Sequence, residues 1–120
     1  MRAIRGKLAY EAGRAAEGNV ERHYIRGGRE IIARRWRGAG GEIDLVARDG
    51  AEVIFIEVKQ SDTHAHASEH LGRHQMARIY AAASEFLAGE PMGQLTPMRF
   101  DVALVDGGGV IEIVENAFAA

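Results

Sequence analysis

The chain has 120 residues, 47% hydrophobic and 27% charged, with 15 Gly and no Cys. That length makes one domain burying roughly two-thirds of its surface, and the composition excludes a disordered polymer, a collagen and a disulfide or thiolate-zinc framework. The net charge of −2 divides unevenly: residues 1–40 carry ten Lys/Arg against four Glu, and residues 41–120 five Lys/Arg against thirteen Asp/Glu. A basic first third either attracts a polyanion or solvates an amphipathic helix, and an acidic remainder is compatible with a cation site.

From Lys7 to about Gly28 the pattern is helical, with Leu8, Ala12, Ala16, Val20 and Tyr24 at four-residue steps. Gly27-Gly28 is the expected stop. Arg29 to Trp36 reads as a strand around Ile31-Ile32, and Gly38-Ala39-Gly40-Gly41 as a loop. Two β runs follow, Glu42 to Arg48 and Val53 to Lys59, around the turn Asp49-Gly50-Ala51-Glu52. Ala67 to about Leu87 reads as a second helix with Leu71, Ile79, Ala82, Ala83, Phe86 and Leu87 on its apolar stripe, broken by Gly89, Pro91 and Gly93. Met98 to Val105 and Val110 to Val114 are late strands flanking Gly107-Gly108-Gly109. The expected order is αβββαββ, a single mixed α/β domain over residues 1–120. No apolar run is long enough for a bilayer span, and no apolar segment follows the charged Met1 to Lys7 start. A soluble cytoplasmic protein is the expectation.

The central hairpin can be registered by arithmetic. A turn centred between Gly50 and Ala51 sets Asp44 opposite Glu57 and Glu42 opposite Lys59, all on one face. Ile43, Leu45, Ile54, Ile56 and Val58 then form a core strip on the other. Neighbouring carboxylates repel unless they share a proton, pair with a cation or bind a hard divalent metal. Magnesium suits one or two carboxylates, a main-chain carbonyl and retained waters, and Lys59 is placed to reach a water or a phosphate oxygen; that is the equipment of metal-assisted phosphodiester hydrolysis. The alternative is a Glu–Lys pair with a solvated Asp44 on an open sheet face.

These residues resemble a known family. Gly41-Glu42-Ile43-Asp44-Leu45-Val46 followed by Ile56-Glu57-Val58-Lys59 looks like the D…ExK core of the PD-(D/E)xK nuclease superfamily, with its restriction endonuclease-like fold. More narrowly, it resembles the YraN family of small bacterial predicted endonucleases. Gly13-Arg14-Ala15-Ala16-Glu17 is similar to that family's first-helix stretch, Arg34-Arg35-Trp36-Arg37 to its basic-aromatic segment, and Arg99-Phe100-Asp101-Val102 to its late strand. The resemblance implies that Asp44, Glu57 and the Val58 carbonyl hold Mg²⁺, with Mn²⁺ as an alternative. It further implies that Lys59 orients or polarises the attacking water and that Glu17 faces the same site. Two departures stand out. Gln60-Ser61 replaces the family's Thr-Arg, and a basic residue of the second helix is replaced around His74-Gln75, with Arg73 and Arg78 nearby.

The expected function is therefore Mg²⁺-dependent phosphodiester hydrolysis in nucleic acid, most naturally by a DNA endonuclease. Arg34, Arg35 and Arg37 are the candidate phosphate contacts within the Arg-rich stretch Arg22 to Arg37, and Trp36 either stacks on a base or packs at a strand end. Nothing in the chain reads bases. A homodimer would supply the two sites that cutting both strands needs. One rival is a catalytically silent nucleic-acid-binding module of the same fold. Another is a metal-handling domain built on His64, His66, His70 and His74, of which the last three share a helix face at four-residue steps. Asp101, in an apolar strand, is either exposed or paired with Arg99 or another strand.

Overall fold

The computed structural model describes residues 2–60 and 72–118, residues 2–12 as helical backbone only. Helix α1 (Arg2–Arg26) ends at the expected glycines: Gly28 has φ +88°, and the Arg29 N–H returns to the Tyr24 carbonyl at 3.1 Å. A glycine just past the last turn accepts this left-handed conformation without a Cβ clash. Strands β1 (Glu30–Arg37), β2 (Glu42–Asp49) and β3 (Glu52–Gln60) follow, then helix α2 (Arg73–Leu87) and strands β4 (Met98–Val105) and β5 (Ile111–Val114). The described order differs from αβββαββ by a single-turn 3-10 helix, Gly93–Leu95, set between α2 and β4 where only helix-breaking residues were expected. The expected beginning of the second helix, Ala67 to Leu71, lies outside the described residues, as do Ser61, His64, His66 and His70.

The strands form one sheet in the order β1-β2-β3-β4-β5, antiparallel throughout except for the parallel β3–β4 pair. A parallel pair cannot be joined by a hairpin, so the chain crosses over through α2. The two helices cover opposite faces. Ala16, Val20 and Tyr24 of α1 pack on Leu45, Ala47, Ile54, Ile56, Ala103 and Val105. Ile79, Ala82, Ala83 and Leu87 of α2 pack on Ile43, Val46, Val53, Phe55 and Phe100. The run Val53-Ile54-Phe55-Ile56 is buried on both sides, as a central strand between two helical layers must be. The sheet thus has no open face over the hairpin, contrary to the bland alternative for its charged residues.

The hairpin register follows the arithmetic from Asp49↔Glu52 through Leu45↔Ile56, around Gly50 at φ +60°. One expectation fails. Ile43 does not join Leu45 beneath α1 but packs beneath α2, while Leu45, Ile54, Ile56 and Val58 keep the expected face. The reason is a local reorientation of both neighbours. Arg35, between the pairs Arg34↔Leu45 and Trp36↔Ile43, has φ +46°, and the β2–β3 ladder ends at Leu45↔Ile56. Strict period-two alternation holds only while the backbone stays extended. No helix among the described residues is long and apolar enough to cross a membrane.

Candidate functional site

The cleft of interest opens where β2 and β3 stop pairing. Its geometry begins with the glycines before β2. A Cβ on Gly41 would lie 2.9 Å from the Arg78 carbonyl oxygen, and one on Gly40 would lie 2.6 Å from the Ala81 Cβ. Only glycine lets this loop lie directly on α2. The Glu85 carboxylate accepts the Ala39 and Gly40 N–H groups at 3.1 and 3.4 Å, tying the loop to the helix. The start of β2 is therefore held against α2, leaving a cleft of about 260 Å³ lined by Gly41, Glu42, Asp44, Glu57, Gln75, Arg78 and Ile79.

Asp44 and Glu57 meet at its floor. Where the ladder has ended, the Val58 N–H donates to Asp44 Oδ2 at 2.8 Å, so a side chain replaces the missing strand partner. Glu57 Oε1 accepts from Gln75 Nε2 at 2.8 Å and lies 3.4 Å from Lys59 Nζ. Burial raises the pKa of both carboxyls. Asp44 is lifted first by desolvation and further by the charge of Glu17, against the opposing Val58 hydrogen bond. Glu57 is pushed up to about 8 by desolvation and by the Asp44 charge, with Lys59 opposing. Two neighbouring carboxyls withdrawn from water cannot both ionise cheaply, which favours a protonated Glu57 beside an ionised Asp44 at neutral pH.

A site that holds a proton between hard oxygen ligands is one where a divalent cation can replace that proton. Asp44 and Glu57 fit magnesium on this ground: both donors are carboxylates, they are adjacent, and their charge is incompletely neutralised by protein. Among the described residues no third Asp, Glu or His joins them into a larger ligand group.

The structure brings together Asp44, Glu57, Val58 and Lys59. Glu17 comes close enough for its charge to act on Asp44, yet its carboxylate is bound by Arg35 Nε at 3.0 Å. The basic segment is not part of the cleft lining. Arg34 is ion-paired with Glu21, Arg35 with Glu17 and Arg37 with Glu42, while Trp36 packs edge-on against Phe86 with centroids 5.4 Å apart. Trp36 is thus a packing residue in this arrangement. Sequence reasoning named Gln75 only as part of a departure from the resembled family and Arg78, with Arg73, only as a nearby substitute for the replaced cation, without placing either at the Asp44–Glu57 site. The signal was available in their spacing, since Gln75, Arg78 and Ile79 fall at i, i+3 and i+4 and must share a helix face. Asp101 is buried and paired: it accepts from Arg99 Nε at 3.0 Å and from Tyr24 OH at 2.8 Å.

Fold and cleft together define an α/β protein whose mixed sheet carries a half-buried Asp44 and a buried Glu57 accompanied by a lysine. The chain belongs to UPF0102, an uncharacterised protein family whose profile matches residues 16–105. It is 69% identical over 115 residues to a UPF0102 protein of Cereibacter sphaeroides strain ATCC 17025, covering 96% of this chain and 98% of that one. A UPF0102 protein of Ruegeria pomeroyi is 64% identical over 116 residues (97% and 94%), and one of Dinoroseobacter shibae 44% identical over 115 residues (96% and 86%).

Proposed function

We propose that this protein is a Mg²⁺-dependent nucleic-acid phosphodiesterase, a DNA endonuclease of the PD-(D/E)xK type acting in the cytoplasm. The observation that supports the reading is that half-buried Asp44 and buried Glu57 line one cleft, with the Lys59 ammonium 3.4 Å from Glu57. Asp44, Glu57 and the Val58 carbonyl are the groups that would hold Mg²⁺, or Mn²⁺ in its place. Bound there, the ion supplies Lewis-acid polarisation of a phosphoryl oxygen and a lowered pKa for a coordinated water. The protein's own groups do the rest. Val58 N–H and Gln75 fix the rotamers of Asp44 and Glu57, so the carboxylates need no reordering when charge arrives. The Lys59 ammonium, beside Glu57, is placed to orient or polarise the attacking water. Phosphate contacts without base readout support structure-selective or nonspecific recognition.

A specific pair of observations favours a second reading, a catalytically silent nucleic-acid-binding module. Gln60-Ser61 stands where the resembled motif carries Thr-Arg, so that cation is missing, and Arg34, Arg35 and Arg37 are each occupied by a carboxylate. The two readings separate on a panel of labelled plasmid, linear duplex, single strand, branched junction and structured RNA, incubated with Mg²⁺, Mn²⁺ or chelator. Metal-dependent cutting by the wild type that is lost in Asp44→Asn and Lys59→Ala supports the enzyme. Salt-sensitive binding shared by all three proteins, with no cutting, supports the silent module.

A further inference from the structure

We propose that Arg78 is the residue that grips the substrate phosphate at the Asp44–Glu57 cleft. The inference rests on the phosphodiesterase reading and adds the phosphate-binding group that reading lacks. Lys59 is an unsuitable candidate: its side chain is only 17% exposed and its ammonium is held 3.4 Å from Glu57. The basic strand is no better placed, since Arg34, Arg35 and Arg37 lie outside the cleft lining and are paired with Glu21, Glu17 and Glu42.

Arg78 differs on each count. It lines the cleft beside Asp44 and Glu57 and is exposed. Among the described residues its side chain forms no ion pair or hydrogen bond. Its root is fixed: the Arg78 backbone carbonyl sits so close to Gly41 that a Cβ there would lie 2.9 Å away. The separation between the base of this side chain and the start of β2 is therefore set by backbone contact. A guanidinium so anchored can offer two parallel N–H groups to the non-bridging oxygens of a phosphodiester.

The test uses the full chain as wild type, Arg78→Ala and Arg78→Lys, with a fluorescent duplex oligonucleotide as probe. Anisotropy in EDTA over a KCl series gives the salt slope of binding, and cleavage of the same duplex in Mg²⁺ gives turnover. A thermal melt checks that the variants at this exposed position remain folded. Arg78→Ala should reduce the slope of log Kobs against log[KCl] by about one, the signature of one lost phosphate contact. It should also reduce turnover about 10²-fold. Arg78→Lys should restore the slope but only part of the turnover, because an ammonium cannot bind bidentately. Unchanged slope and turnover in Arg78→Ala would overturn the assignment while leaving the nuclease reading intact. Binding without cutting leaves the slope to decide Arg78 alone, and a wild type that neither binds nor cuts overturns both.

Discussion

Asp101 and the pair of half-buried Asp44 and buried Glu57 are carboxyls of one sheet kept in opposite company. Asp101 is surrounded by donors: Arg99 Nε and the Asn116 N–H reach Oδ1 at 3.0 and 3.1 Å, and Tyr24 OH and Arg99 Nη2 reach Oδ2 at 2.8 and 3.2 Å. Its charge is matched, and the network ties α1, β4 and the turn after β5 together. Asp44 and Glu57 instead neighbour each other, with one neutral donor apiece, the Val58 N–H and Gln75 Nε2, and a single cation, Lys59, 3.4 Å from Glu57. Burial alone therefore does not mark a functional acid. What distinguishes the pair is negative charge that the protein has gathered and left only partly balanced.

The sharpest way to break this contrast is neutralisation. Asp101→Asn leaves Arg99 without its buried partner and should cost about 3–5 kcal/mol, read as a fall in the urea midpoint. That is a large share of the roughly 5–15 kcal/mol that holds a domain of this size folded. Asp44→Asn should change metal-free stability by less than about 1 kcal/mol, within the range of an ordinary substitution, while abolishing metal-dependent cleavage. Equal destabilisation by the two changes would dissolve the distinction.

The pH dependence comes next in size. Glu57 titrates near 8 in the folded chain against an ordinary 4.5. Between those values the folded state therefore binds more protons than the unfolded state, and unfolding free energy falls as pH rises. The metal-free protein should have its full share of this stability below pH 4.5 and lose it progressively up to about pH 8. Chemical denaturation across that range should show the decline in wild type and a flatter profile in Glu57→Gln. A smaller effect tests the matched site: Tyr24→Phe removes one hydrogen bond to a charged acceptor and should cost about 1.5 kcal/mol, with cleavage unaltered. Smallest of all, Arg34→Ala at the solvent-facing Glu21 pair should leave the urea midpoint nearly unchanged.

Much of this was legible in the chain because it is local. The two-residue turn at Gly50 and the alternation of Val53 to Lys59 were enough to register the hairpin and to pair the Asp44 strand with the Glu57 strand. The helical stripe Ala16, Val20 and Tyr24 was equally plain. The unread parts depend on distant contacts. Tyr24 and Asp101 meet across 77 positions, and nothing near either residue announces the other. The placement of Ile43 turned on Arg35 adopting a positive φ, which its residue type does not suggest. Gln75 was noticed as a departure from a resembled pattern, but its bond to Glu57 depends on how closely α2 approaches the sheet. That approach is set in turn by Gly40 and Gly41, which in sequence look like any glycine-rich loop.

The most direct measurement is calorimetric titration of Mg²⁺ into the metal-free wild type and Asp44→Asn at neutral pH, in two buffers of different ionisation enthalpy. The expected result is saturable binding by the wild type with proton release, as Glu57 surrenders the proton it shares with Asp44, and no such binding by the variant. No binding by the wild type, or binding that Asp44→Asn leaves unchanged, would contradict the assignment of this acidic pair as the metal centre.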